Sequence, residues 1–402
     1  MVTEAALPEV IDFWRNHAYD GWLAKQDVPV HRGYYIEDAR TLERGWWELR
    51  GCPAAVISLE GHRGIEHVHV LEIPPGATIP PFRMALEEVI YVFEGNGIAS
   101  VWAEGQPKVT FEWQKHSLFR IPVNYNYELS NARGDQSAIT LHVNLLPMAM
   151  GTNPSEDYFF NNPYVDLSQL YGNEAKFYSA AARPIQVTGQ ASFSSGARSM
   201  GVGTAAETAG AAGTPPRPQR PGRLRWYGNF FPDLSVWDKL ETYGGGGRLA
   251  LGGGIFFPGS AFSTSLMVLP SRRYRAGHRH AAGVTIVGVQ EADGFVIMWP
   301  ENGDYLVAPW REGSVFVPPY HWYHMHFNSG SVENRQLRIR APRPGANPAA
   351  DAHRVIPFAE QDPWVRRKFE EELAKRGLTS LMPEEAYTNP NFEWDEEWLR
   401  ED

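Results

Sequence analysis

The sequence holds a single cysteine, Cys52, in 402 residues, which excludes an intramolecular disulfide framework and any cysteine-built zinc cage. It has no apolar run of about 18 residues, so no helical membrane span is expected. Its start, MVTEAALPEVIDFW, lacks the basic-then-apolar order of a secretory leader. Basic charge is in deficit: 37 Lys and Arg against 47 Asp and Glu leave a formal charge of -10, a poor match to a phosphate backbone. No P-loop, dinucleotide fingerprint or Ser-His-Asp arrangement is present. The glycine runs Tyr243 to Gly247 and Gly252 to Gly254 fit no phosphate-binding spacing and read as loops and tight turns. A soluble, cytoplasmic chain working on small molecules, with neither nucleic acid nor membrane as partner, is the expectation.

What the sequence does have is turn residues and aromatics: 38 Gly, 31 Pro, 14 Trp, 17 Tyr and 20 Phe. Length alone suggests two domains at about 150 residues each. Residues 1–46 read as a helical arm, with apolar positions at helical intervals from Pro8 to Gln26. Short β-type runs fill 47–150: AAVISL, HVHVLEI, EVIYVFEG, GIASVW, KVTFEW, SLFRIPV and AITLHVNLL. A connector spans 151–227. Within it, 189–223 is Gly/Ala/Ser/Thr- and then Pro/Arg-rich, too poor in large apolar side chains to offset its ordering entropy. Strands resume in 228–342. A charged helix, Asp362 to Arg376, and a tail carrying Trp394 and Trp398 complete 343–402 and are expected to clasp the body or a neighbouring subunit.

The two β regions are copies of each other. Shifted by 197 residues, Gly97 and Trp102 fall on Gly294 and Trp299, without gaps. Trp113, Ser117, Phe119, Pro122 and Asn131 fall on Trp310, Ser314, Phe316, Pro319 and Asn328. The chain is therefore a tandem duplication of one small β domain.

The copies differ in their chemistry-bearing residues. His278 and His280, two apart on a strand, project to one face, and an imidazole from another strand would complete a facial set on a divalent metal. His324 and His326 follow, sharing a face of a later strand, with His321 just before them. The first copy has His67 and His69 at the same two-residue spacing, with no third partner in view, and one carboxylate, Glu88.

The repeated unit resembles the cupin family, whose motifs are G-x5-H-x-H-x3,4-E-x6-G and G-x5-P-x-G-x2-H-x3-N. Gly313, Pro319, His324 and Asn328 match the second motif, with His321 at its glycine; His278 and His280 match the first, with Thr285 at its glutamate. In the first copy Gly76, Glu88 and Gly95 fit. The histidine positions hold Phe82 and Met84 (or Pro81 and Arg83 by the gap-free shift), and Tyr127 stands for the last histidine. The resemblance implies two tandem jelly-roll β-barrels: a first that is metal-free, its mouth filled by Phe82, Met84 and Tyr127, and a second that holds metal on His278, His280 and His324. HRH followed by PPYHWYHMH is similar to the three-histidine gentisate- and salicylate-cleaving bicupins. Here, however, the histidines lie in the second copy, and the step from Pro318 to His324 is one residue longer.

Three neutral imidazoles leave the full charge of the cation to an anionic, chelating ligand. The first reading is a non-haem Fe(II) dioxygenase cleaving a C–C bond of an aromatic hydroxy acid or enolisable dicarbonyl with O2. His321, His326 and Tyr320 are its acid–base candidates; Arg338, Arg340, Thr285 and Trp322 are its substrate-binding candidates. Arg272, Arg273 and Arg275, just before the HRH pair, would add a carboxylate anchor if one of them faces the cavity. The alternatives are a lyase, isomerase or decarboxylase on Mn, Ni or Zn without O2, and an accessory protein that binds a small molecule. Open sheet edges and aromatic arms predict a homodimer or larger assembly.

Overall fold

A computed structural model describes residues 17–186, 224–242, 251–280, 283–342, 355–392 and 394. The duplication is visible as two β-barrels, each a large sheet closed by a smaller one. The first barrel sets an eight-stranded sheet against the three strands Asn96–Trp102, Val109–Gln114 and Asn126–Asn131. The second sets nine strands against six, the smaller sheet centred on Gly294–Trp299 and Tyr323–Asn328.

Period-two alternation decides where each side chain goes. Along Glu88–Glu94, Ile90 and Val92 enter the core of the first barrel, while Val89, Tyr91 and Phe93 join the seam between barrels. Along Val284–Gly288, Val284 and Ile286 face the interior of the second barrel, and Val287 faces the seam. Both faces of these strands are covered, which is why the runs read as continuously apolar rather than alternating.

Each barrel completes its large sheet with a strand from outside its own repeat. Tyr35–Ile36, from the N-terminal arm, pairs with Phe316 and Val315 of the second barrel. Phe230–Phe231, just after the connector, pairs with Phe119 and Leu118 of the first. The repeated serines fasten these arms: Ser117 Oγ donates to the Pro232 carbonyl and Ser314 Oγ to the Glu37 carbonyl, both at 2.7 Å. The repeated asparagines stitch equivalent turns, Asn131 Nδ2 to Gln136 O at 2.7 Å and Asn328 Nδ2 to Val332 O at 2.8 Å. Gly97 and Gly294 recur because a Cβ at either would run into a backbone carbonyl of the neighbouring strand, Ser130 or Phe327.

Several expectations shift. The N-terminal helix covers His17–Ala24, residues 1–16 lying outside the described ones, and the arm also supplies the strands Val30–Gly33, Tyr35–Ile36 and Gly45–Trp47. Gly252 to Gly254 are not a turn but part of the strand Leu251–Phe256, where Gly254 makes room for the Arg225 side chain. The segments 189–223 and 243–247 lie outside the described residues. The C-terminal helix is Pro363–Ala374, capped by Asp362 Oδ1 accepting from Trp364 N at 2.8 Å. It buries Val365, Phe369 and Leu373 against Tyr274 and Phe327 of the second barrel, and Trp394 closes the same cluster. The tail thus clasps its own body; Trp398 lies outside the described residues. No described helix is long and apolar enough to cross a membrane.

Candidate metal centre

In the second barrel the strand Tyr323–Asn328 turns His324 and His326 to the interior, while Met325 and Phe327 pack toward the C-terminal helix. His278 stands directly opposite His324 in the ladder. Nitrogens of His278, His324 and His326 all lie within 4.8 Å of one another, and all three side chains are buried. His280, half-buried, brings its ring centroid to 4.6 Å from that of His324.

The hydrogen bonds suit metal ligation. His278 Nδ1 lies 3.0 Å from the Ala276 carbonyl and His324 Nδ1 lies 3.4 Å from that of Trp322. A carbonyl only accepts, so in each contact Nδ1 carries the proton and Nε2 presents its lone pair, the arrangement common around metal-bound histidine. His326 Nδ1 is buried without a hydrogen-bond partner among the described residues. Burial first, and then neighbouring His324 and Arg275, hold His278 and His326 well below the usual imidazole range. Neutral imidazoles are the form that binds a cation.

Arginines share this interior. Leu337 and Ile339 face the seam, so Gln336, Arg338 and Arg340 face the barrel. Arg338 and Arg275 are close enough to His326 to disfavour its protonation. Arg275 also donates from Nη1 to Met267 Sδ at 3.0 Å.

Of the other residues singled out in the sequence, Tyr320 is 55% exposed and stacks on His321 at 3.9 Å, on a turn outside the imidazole cluster. His321 adopts φ 63°, the left-handed conformation that favours glycine. Trp322 stacks at 5.1 Å on Tyr34 from the N-terminal arm. Thr285 is a correction. Phe119 pairs with Ile90 and Phe316 with Ile286, so the counterpart of Glu88 is Val284, and the repeat is not gap-free at this strand. Thr285 instead faces the seam, where its hydroxyl donates to Glu66 Oε2 at 2.6 Å and meets His62 Nε2 at 3.0 Å.

The first barrel also departs from expectation, because Glu88 does have histidines beside it. His69, Glu88 and His142 form a second buried cluster. His142 Nδ1 is 3.1 Å from Glu88 Oε2 and its Nε2 is 2.9 Å from Thr140 Oγ1, so both ring nitrogens are engaged. Glu88 further accepts from Tyr127 and from Asn144 Nδ2, and the Arg50 guanidinium lies 3.8 Å away. Burial pushes the Glu88 carboxyl up, yet His142, Arg50 and His69 together hold it well below the usual range. Phe82 and Tyr127 pack edge to face beneath Arg50, and Met84 lies in the adjoining core. The sequence does carry a signal for His142: Thr140, His142 and Asn144 repeat polar groups on one face of an otherwise apolar strand. Arg50 has none.

No protein-family model and no curated protein sequence matches the chain. Among solved structures, a Lactobacillus farciminis oxalate decarboxylase–formate complex is similar at TM-score 0.45 and 13% identity, over 77% of this chain and 86% of that one. A single-residue mutant of Bacillus subtilis oxalate decarboxylase gives 0.46 and 12%, over 86% of each chain. A Momordica charantia 7S globulin gives 0.44 and 14%, over 77% and 84%.

Proposed function

We propose that the second barrel is a divalent-metal centre that binds and transforms a small carboxylate-bearing molecule. The observation that carries this reading is the convergence of His278, His324 and His326, two of them oriented by backbone carbonyls. His278 and His324 belong both to this trio and to the motif trio with His280, so His280 and His326 are the alternative third donors. Fe(II), Mn, Ni or Zn bound there would supply Lewis acidity, and Fe(II) redox chemistry as well. The imidazoles contribute no negative charge, and Arg275 and Arg338 add positive charge to the same interior, which favours an anionic substrate and orients its carboxylate.

Lyase or decarboxylase chemistry takes precedence, because charge stabilisation by fixed cationic groups is what these residues offer. An O2-dependent dioxygenase acting on an aromatic acid is the second reading, and the stacked pair of Tyr34 and Trp322, the latter two residues from His324 in the chain, is the feature in its favour. The first barrel is proposed to be metal-free, since both nitrogens of His142 are engaged and the Arg50 guanidinium would repel a cation.

Metal content of protein purified without added metal is the test, with one atom per chain expected and lost in His324→Ala. Oxygen uptake with hydroxybenzoates and small dicarboxylates then separates the two chemistries. A metal-free protein whose stability His324→Ala leaves unchanged would overturn the assignment and leave an accessory binding protein.

A further inference from the structure

The imidazoles of the second barrel stand on its smaller sheet, and the larger sheet opposite them presents a wall of hydrogen-bond donors. On the strands Ser263–Leu269 and Asn334–Arg340, Leu266, Leu337 and Ile339 pack into the seam, so Ser263, Ser265, Arg338 and Arg340 face the barrel. They form a two-by-two array, with Ser263 directly opposite Arg340 and Ser265 directly opposite Arg338.

The array is open to a ligand. Ser263, Ser265 and Arg338 are partly exposed and Arg340 keeps 9% of its surface, whereas Leu266, Leu337 and Ile339 behind them are sealed. It also stands level with the imidazole cluster. Arg340 pairs with Val284, the counterpart of Glu88, and Arg338 is close enough to His326 to disfavour its protonation.

Two guanidiniums and two hydroxyls outnumber the acceptor sites of one carboxylate. Both guanidiniums are fixed positive charges whose planar forks match an oxyanion. Glu66 acts on Arg340 from the seam, but Thr285 already donates to it and burial pushes its carboxyl up to about 7, so it offsets the charge of the array only in part.

We propose that this array is a second anion subsite and that the substrate is a dianion. One anionic group lies at the imidazole centre, and the other, a carboxylate or phosphoryl group, lies on Ser263, Ser265, Arg338 and Arg340. The placement of the first group rests on the metal-centre reading. Facing sheets stand about 10 Å apart and side chains from both enter that gap, so a skeleton of about two to four carbons joins the two groups.

The test is calorimetric titration of the intact protein, as purified, with glutarate, β-phosphonopropionate and the monoanion butyrate. At least one dianion should bind about tenfold tighter than butyrate, and the tighter of the two identifies the second group as carboxylate or phosphoryl. Arg340→Met should lower affinity for that dianion about tenfold and for butyrate far less. Ser265→Glu, which sets a carboxylate between the guanidiniums at a partly exposed position, should abolish the preference. Dianions that bind no tighter than butyrate, or a preference that survives in folded Arg340→Met protein, overturn the proposal. Should Arg340→Met fail to fold, a preference that survives Ser265→Glu overturns it. A metal-free protein that still prefers the dianion overturns the metal centre and supports the subsite; a metal-loaded protein without the preference overturns the subsite alone.

Discussion

Arg338 in the second barrel occupies the position that His142 holds in the first. His142 stands between Ile90 and His69 on its neighbouring strands, and Arg338 stands between Ile286 and Ser265. The same two strands thus give the first barrel an imidazole beside a carboxylate, and the second a guanidinium beside Val284. One duplicated scaffold carries its buried histidines on opposite walls: His69 and His142 on the larger sheet in the first barrel, His278, His324 and His326 on the smaller sheet in the second.

That equivalence marks Val284 as the place where a carboxylate would join the proposed metal site. Val284→Glu should raise affinity for Mn(II) or Co(II), read by calorimetry, by about tenfold or more, equivalent to ~1.4 kcal/mol or more. Thr285→Glu should give no gain, because that side chain points to Glu66 across the seam. Equal effects of the two variants would refute the one-residue shift in the repeat.

Arg50 and Glu88 form a buried pair whose members cannot be removed singly without penalty. Arg50→Met leaves the Glu88 charge among His69, His142 and Tyr127, and should cost about 3–5 kcal/mol in urea unfolding. Adding Glu88→Gln to Arg50→Met should restore part of that loss. A double variant as unstable as the sum of the two singles would mean that the two groups do not interact.

How far the sequence foretold this follows from what each signal depends on. Gly97/Gly294, Ser117/Ser314 and Asn131/Asn328 were legible because backbone geometry, constant across a duplication, requires them. His278 and His324 were legible through strand parity and motif. The glutamate position was misassigned because one extra residue after the strand Val284–Gly288 is invisible to a gap-free shift. His142 and Arg50 come from outside the motif strands, and only the folded barrel brings them to Glu88. The arm exchange left no local trace, since two-residue strands such as Tyr35–Ile36 carry no periodicity.

Glu312 of the second barrel ties the seam electrostatically. Its carboxylate lies 2.9 Å from Lys115 Nζ and 3.1 Å from Arg40 Nη1, with His116 Nε2 at 3.5 Å. Glu312→Ala should cost about 1–3 kcal/mol at low salt, for a partly buried network rather than one exposed pair. The difference should shrink in 1 M NaCl, where the screening length falls to about 3 Å. Denaturant midpoints at both salt concentrations measure it, and a salt-independent loss would point to packing instead.

Glu66 and His62 pull the pH dependence of stability in opposite directions. His62 is lowered from 6.5 to about 3, so unfolding takes up a proton as pH falls below 6.5, and its contribution to stability is lost on acidification. His67, lowered to about 4, acts the same way. Glu66 is raised from 4.5 to about 7: the folded state holds a proton that the unfolded state releases, so its contribution is greatest below 4.5 and is lost as pH rises toward 7. Glu66→Gln removes only the second effect. Relative to the unmodified protein, the variant should gain stability steadily from pH 4.5 to pH 7, by ~3 kcal/mol at most. Urea unfolding across that window reads the difference directly. A pH-independent offset would show that Glu66 ionises normally in the seam, and a difference of opposite slope would show that the pull of Thr285, the Ala341 backbone and Arg340 outweighs burial.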